Sequence, residues 1–212
     1  MAELHAILLA AGGSSRLGRA KQLLTYAGEP LVHRAARLLT GVAPRVTVVT
    51  GASPEQVGAA IAGLDVDEVH NARWREGVGG SIALGARQFE VGTNATLIML
   101  CDQYGIGAEQ LSQLSDAWRA EPARIAAARW GERFGPPVIF PARFFSRLRR
   151  LQGDLGARQL LVEERARVNF VDLPRAALDV DDAADLARMR EHEAARQAQA
   201  PHRGGRSSSD GS

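Results

Sequence analysis

The stretch Leu8-Leu9-Ala10-Ala11-Gly12-Gly13-Ser14-Ser15-Arg16-Leu17-Gly18-Arg19-Ala20-Lys21 decides how the rest of this chain is read. Its apolar start reads as a buried strand that runs directly into a loop of small residues. The glycines let successive backbone N–H groups turn toward one point, and Arg16 and Lys21 set two cations beside that turn. A loop of this kind holds phosphate. Its spacing fits neither of two familiar phosphate patterns, since one needs a lysine directly after Gly18 and the other needs glycines two apart. The loop therefore points to a different nucleotide-binding architecture. The bland alternative is a strand-to-helix turn whose glycines serve geometry alone.

Around that loop, the 212 residues, 45% hydrophobic and 24% charged, suffice for one domain whose core buries roughly 70% of the unfolded surface. No apolar run approaches the roughly 20 residues of a membrane helix. Met1-Ala2-Glu3 leads straight into strand-like sequence with no basic leader, so a cytoplasmic protein with no membrane partner is expected. The single cysteine, Cys101, excludes an internal disulfide framework and a thiolate-rich zinc site, and it reads as a small buried hydrophobe. The net charge of +2, with acids near most bases, leaves no nucleic-acid footprint. From Arg143 to Arg150, Phe144 and Leu148 fall on one helical stripe and Arg143, Arg147 and Arg150 on another, which reads as a solvated amphipathic helix or an anion-binding face. Residues 194–212 lack apolar periodicity and are expected to form a disordered tail behind a domain of residues 1–193.

Apolar runs alternate with helical patterns, which predicts an α/β fold. Strands are expected at His5–Ala10, Arg45–Thr50, Asp67–His70, Ala95–Cys101, Arg124–Ala128, Pro137–Phe140 and Arg167–Asp172. Helices are expected from Pro30, after Ser53-Pro54-Glu55-Gln56 with its capping-box glutamine, over Ser81–Phe89, over Ala108–Arg119, near Arg143 and Gly156, and from Asp182. The run Ala95–Cys101 is almost uniformly hydrophobic, as a central strand buried on both faces would be. It ends at Asp102, at the strand edge where open α/β sheets bind ligands.

The segment Leu9-Ala10-Ala11-Gly12-Gly13-Ser14-Ser15-Arg16-Leu17-Gly18, continued by Lys21-Gln22-Leu23-Leu24, resembles the signature of the MobA-like nucleotidyltransferases, and within them the molybdenum cofactor cytidylyltransferase type. Later segments agree in order: Asn71, Trp74, Gly77, Ser81 and Gly85; then Leu100-Cys101-Asp102-Gln103; then Gly135-Pro136-Pro137-Val138; then Gly153-Asp154-Leu155-Gly156-Ala157-Arg158. The resemblance implies a single-domain, three-layer Rossmann-like nucleotidyltransferase fold with a mostly parallel mixed sheet. It also implies Mg²⁺-dependent transfer of CMP from CTP to a molybdopterin acceptor, with a molybdoenzyme receiving the product. The guanylyl-transferring relatives read L-A-G-G where this chain has Leu9-Ala10-Ala11-Gly12, which favours CTP.

The reaction's demands match the residues present. An acceptor phosphate is already anionic at pH 7, so no strong general base is needed; the triphosphate must be neutralised and the attacking oxygen aligned. The backbone amides of Ala11 to Ser15, with Arg16 and Lys21, are the candidates for the triphosphate; Leu9 and Ala10 join them among the nucleotide-binding residues, and Arg16, Lys21 and Asp102 are the candidate catalytic groups. Mg²⁺ takes oxygen ligands and keeps waters, so Asp102 and one acid of Asp179-Val180-Asp181-Asp182 suffice, Asp181 before Asp179. The resemblance places Asn71, Gly79 and Ser81 near the base and ribose, and Gln103, Gly135, Pro137 and Asp154 on the acceptor side. Two departures stand out: Tyr104-Gly105 follows Gln103 where the family has proline, and Asp182-Ala183 replaces a Thr-Pro pair. Structural alternatives are that Asp102 caps a helix and that Asp179 or Asp181 caps the last one. Other functions left open are guanylyl or adenylyl transfer, another phosphorylated acceptor, and a non-catalytic nucleotide- or pterin-binding chaperone.

Overall fold

A computed structural model of the chain describes residues 3–154 and 156–199. The strands are β1 Glu3–Ala10, β2 Thr25–Tyr26, β3 Glu29–Pro30, β4 Arg45–Thr50, β5 Asp67–His70, β6 Thr93–Leu100, β7 Ile125–Trp130, β8 Arg133–Pro141 and β9 Val168–Asp172. The α-helices are α1 Leu31–Thr40, α2 Pro54–Ile61, α3 Val78–Ala86, α4 Ala108–Ala120, α5 Phe145–Leu148, α6 Ala157–Glu163 and α7 Ala183–Gln199.

Among the described residues, β2 and β3 pair as a small hairpin and the other strands form a seven-stranded sheet in the order β5-β4-β1-β6-β8-β7-β9. Neighbours are parallel except at β8, which runs against both β6 and β7. This is the mostly parallel mixed sheet expected. From β1 the chain moves outward through β4 to β5 and then returns to place β6 on the other side of β1. That reversal opens a crevice above the carboxyl ends of β1 and β6.

The alternation along β1 sorts the core into two layers. Leu4, Ala6 and Leu8 face the side covered by α1, α2 and α4, while Ile7 and Leu9 face α3, α5 and α6. Gly85 on α3 allows close packing there, since a Cβ at that position would stand 2.8 Å from Ile7. A third cluster joins Leu24, Tyr26, Leu31 and Tyr104 to Leu186 and Met189 of α7. The Tyr26 hydroxyl is 2.7 Å from His192 Nδ1, and Glu193 accepts the Ala27 amide at 2.5 Å. The last helix is thereby tied to the hairpin that follows the phosphate-type loop.

Several boundaries differ from the sequence reading. Helix α3 starts at Val78 rather than Ser81 and ends at Ala86 rather than Phe89, and it takes in Gly79 and Gly85, where backbone and side chains crowd too closely for a Cβ. The Ser53 side chain makes no cap bond on α2. Helix α7 continues to Gln199, so residues 194–199 are helical where a tail was expected, and residues 200–212 lie outside the described residues. Near Arg143 the helix is short. There Arg147 pairs with Glu163 and, at 2.7 Å, with Glu164, so this member of the basic stripe is neutralised, while Arg143 donates to Ala123 O. No described helix is long and apolar enough to cross a membrane.

Candidate active site

The crevice above β1 and β6 is a hollow of about 400 Å³. Three chain segments build it. The first is the loop after β1, which turns at Ser14 and Gly18. Ser14 adopts φ +51° and its carbonyl accepts from Leu17 and Gly18 at 3.1 and 3.0 Å. Its hydroxyl accepts the Lys21 amide at 3.0 Å, fixing the lysine relative to the turn. Gln22 is buried, and its Nε2 donates to Ala10 O at 2.9 Å and Gly12 O at 2.6 Å. Among the described residues the amides from Gly12 to Arg16 donate to no backbone acceptor outside the regular elements, which leaves them free for an anion. Gly13 has no room for a side chain, because a Cβ would stand 2.4 Å from the Trp74 ring.

The second segment is the end of β6. Asp102 is 5% exposed, and α4 is capped instead by Gly107 and Gln110, whose Oε1 accepts the Gly107 amide at 3.0 Å. The reading of Asp102 as a helix cap is thereby excluded. Its Oδ2 contacts the Lys21 ammonium and its Oδ1 is buried with no hydrogen-bond partner. Burial pushes the Asp102 carboxyl up, and Lys21 pulls against that. Burial also pushes the Cys101 thiol far up, so this wall residue is not a thiolate nucleophile.

The third segment precedes α7. Asp182 caps that helix, accepting from Ala184 at 2.9 Å and Asp185 at 3.0 Å. Asp185 accepts the amides of Asp181 and Asp182 at 2.9 and 3.1 Å. With capping taken over by these two, the Asp181 carboxylate is left to the cleft: its Oδ1 lies 2.8 Å from Lys21 Nζ and its Oδ2 2.9 Å from Arg16. Hydrogen bonding to Lys21 holds Asp181 below the usual carboxylate range. Burial opposes the charge of Lys21, but Asp102 and Asp181 outweigh it and raise the ammonium above its ordinary value. Asp179 also lines the cleft, and burial, reinforced by Asp102 and Asp181, pushes its carboxyl up to about 6.

The cleft is lined further by Leu9, Ala11, Gly12, Gly13, Ser81 and Asp154. Asn71 and Gly79 stand behind that lining: Asn71 Nδ2 donates to Ser81 Oγ at 2.9 Å, and Gly79 donates its amide to Gly153 O at 2.8 Å. Gln103 does not reach the cleft. It is 3% exposed and its Nε2 donates to Pro136 O at 2.7 Å, because a buried amide at this turn must find a backbone partner. Gly135 and Pro137 lie on β8 beyond it and are not part of the cleft lining. Gln22, Arg75 and Trp74 also line the cleft; Gln22 and Trp74 stand in the family-like segments with no role assigned from sequence, and the contact of Trp74 with Gly13 that ties it to the loop exists only in three dimensions.

The donor set suits a hard divalent cation. Asp102 and Asp181 offer carboxylate oxygens, one of them buried and unpartnered. No cluster of three or more histidine, cysteine or acidic side chains among the described residues could hold an ion unaided, so phosphate oxygens and waters would complete the shell.

Residues 6–168 match the MobA-like NTP transferase domain. The chain belongs to this family. It is a nucleotidyltransferase, and the family binds nucleoside triphosphates with divalent metals. The chain is 28% identical over 194 residues to the purine catabolism protein PucB of Bacillus subtilis, covering 84% of this chain and 90% of PucB. It resembles the crystal structure of Rv0371c from Mycobacterium tuberculosis H37Rv with a TM-score of 0.78 and 27% identity, over 90% of this chain and 98% of that one. The manganese complex of Rv0371c superposes with a TM-score of 0.72 at 26% identity, over 90% and 98% of the two chains.

Proposed function

We propose that this nucleotidyltransferase moves CMP from CTP to the terminal phosphate of a molybdopterin acceptor in the cytoplasm, with Mg²⁺, and releases pyrophosphate. The observation that carries the reading is the convergence of Lys21, Asp102 and Asp181 beneath a loop whose amides are unspent. The choice of CTP rests on Ala11 in the loop signature.

In this reading an acceptor phosphate oxygen attacks the α-phosphorus, a new P–O bond forms, and the bond to the β-phosphate oxygen breaks. The loop amides hold the β- and γ-phosphates. Lys21 and Arg16 leave their carboxylates to neutralise the triphosphate, so charge accumulating on the departing pyrophosphate meets fixed cations. Ser81, braced by Asn71, borders the nucleoside, and Asp154 stands on the acceptor side. A divalent ion held by Asp102 and Asp181 would supply further neutralisation of the phosphates.

A second reading keeps the transfer and changes the acceptor. PucB is named for purine catabolism, and Tyr104-Gly105 replaces the family's proline behind the acceptor side. Incubating the purified protein with CTP, GTP or ATP and molybdopterin, and measuring pyrophosphate and the dinucleotide, separates the two. Pyrophosphate only from CTP supports the first; nucleotide binding with no dinucleotide from any of the three supports another acceptor.

A further inference from the structure

Beside the cleft, along α3, lies a second and larger hollow of about 560 Å³. Its wall carries Arg73, Arg87 and Arg149 against one carboxylate, Glu76. Glu76 lies 3.7 Å from Arg73, so that pair is balanced. Among the described residues the other two guanidiniums pair with no acid. Arg149 is held in place, with Nε donating to Ala86 O at 2.9 Å and its guanidinium carbon 5.7 Å from the centre of the Phe89 ring. Its two terminal nitrogens make no hydrogen bond among the described residues. Arg87, just past the end of α3, makes neither a side-chain hydrogen bond nor an ion pair among the described residues.

Two unneutralised guanidiniums on one wall repel each other unless an anion lies between them, and the forked donors of arginine match phosphate oxygens two at a time. Ala83, Leu84 and Leu151 add apolar surface to the same hollow, which suits a ligand with a carbon body. We propose that this hollow is a second ligand site, distinct from the reaction cleft, that takes a phosphorylated small molecule through Arg87 and Arg149. The two hollows adjoin along the chain, since Gly80 and Gly153 line this one and their neighbours Ser81 and Asp154 line the cleft. The proposal holds whichever nucleotide the cleft accepts.

Amide chemical-shift mapping of the full chain tests it, with inorganic phosphate and glycerol 3-phosphate as probes. The expected result is saturable shifts at Gly80, Leu84 and Arg87, stronger for the monoester, and separate from any at Gly12 to Ser15. Arg87→Glu should weaken the first set about tenfold or more, the effect of losing one charge-assisted contact, and Arg87→Lys should weaken it less. The loop set should be unchanged in both. Shifts that stay linear in probe concentration, that spread evenly over all exposed arginines, or that survive Arg87→Glu would overturn the site.

Discussion

The ammonium of Lys21 contacts Asp102 Oδ2 and lies 2.8 Å from Asp181 Oδ1, so it sits between the two carboxylates proposed to hold the metal. In the ligand-free chain the lysine is the internal counter-ion of that pair. A divalent cation must displace it, and a triphosphate gives it somewhere to go. Metal and nucleotide should therefore bind cooperatively, each taking the partner the other releases.

Lys21→Met should lower turnover by about 10²-fold or more, as loss of one preorganised charge does. It should also tighten Mn²⁺ binding to the nucleotide-free chain, because the competing ammonium is gone, whereas Lys21→Arg should not. Counting free Mn²⁺ by electron paramagnetic resonance gives the answer. Equal Mn²⁺ affinity in Lys21→Met and the parent would show that the lysine does not occupy the metal's place. Truncating one member of a buried pair costs about 3–5 kcal/mol, so folding is checked by thermal melting first.

Asp179, with its carboxyl raised to about 6, is charged at pH 7.5 and increasingly neutral as the pH falls through 6. Loss of that negative charge removes a repulsion from the phosphates. Triphosphate affinity should rise on acidification across this interval, and Asp179→Asn should raise affinity at pH 7.5 and flatten the dependence. Calorimetric titrations at pH 7.5 and 6.0 on both proteins measure it; parallel slopes would assign the effect to the nucleotide's own titration.

His5 is buried, with Nε2 2.8 Å from Thr47 Oγ1 and Nδ1 unpartnered. Burial lowers its pKa below the ordinary value of 6.5. A histidine depressed in the folded state is neutral in both states above that value, and below it the unfolded chain takes up the proton first. Stability should hold above pH 6.5 and decline as the pH falls toward the folded value. Urea midpoints between pH 8 and 5 should show this slope for the parent and a weaker one for His5→Gln.

Gly77 has φ +112°, and a Cβ there would stand 2.2 Å from the Gly153 carbonyl carbon. Gly77→Ala should cost about 1–3 kcal/mol of stability through backbone strain alone, and more as the two loops part, with loss of turnover. Gly80→Ala is the control. Its Cβ would meet only Asn71 Nδ2 at 3.8 Å, and alanine inside a helix gains roughly 0.5–1 kcal/mol over glycine. Denaturation of both variants should give shifts of opposite sign.

What could be read without coordinates was what lies close together in the chain. The β-branched run Arg45–Thr50 and the apolar run before Asp102 announce strands through local composition, and both form them. The phosphate-type loop shows its glycines and cations within one short segment. The hairpin β2–β3 was invisible because two-residue strands carry no period. Glycines at 77, 79 and 80 read as the entry to a helix starting at Ser81, although α3 begins among them, because Gly77 and Gly79 admit the backbone of Gly153 and Gln152, a contact no local pattern shows. Likewise Asp181 could be named as an acid near the site, but not as the partner of Lys21 and Arg16, which only tertiary packing brings to it.

The tether from α7 to the hairpin has a consequence for synthesis. A ribosome finishes the loop, Lys21 and the sheet around them well before it makes Asp181 and His192. Until then Lys21 has only Asp102 as its counter-charge, Arg16 lacks Asp181, and the hairpin lacks the brace that steadies it. On the proposed role of Asp181, competence for transfer arrives late, with the last turns of helix, and a premature stop upstream of them would leave a nearly complete sheet lacking both that acid and the brace.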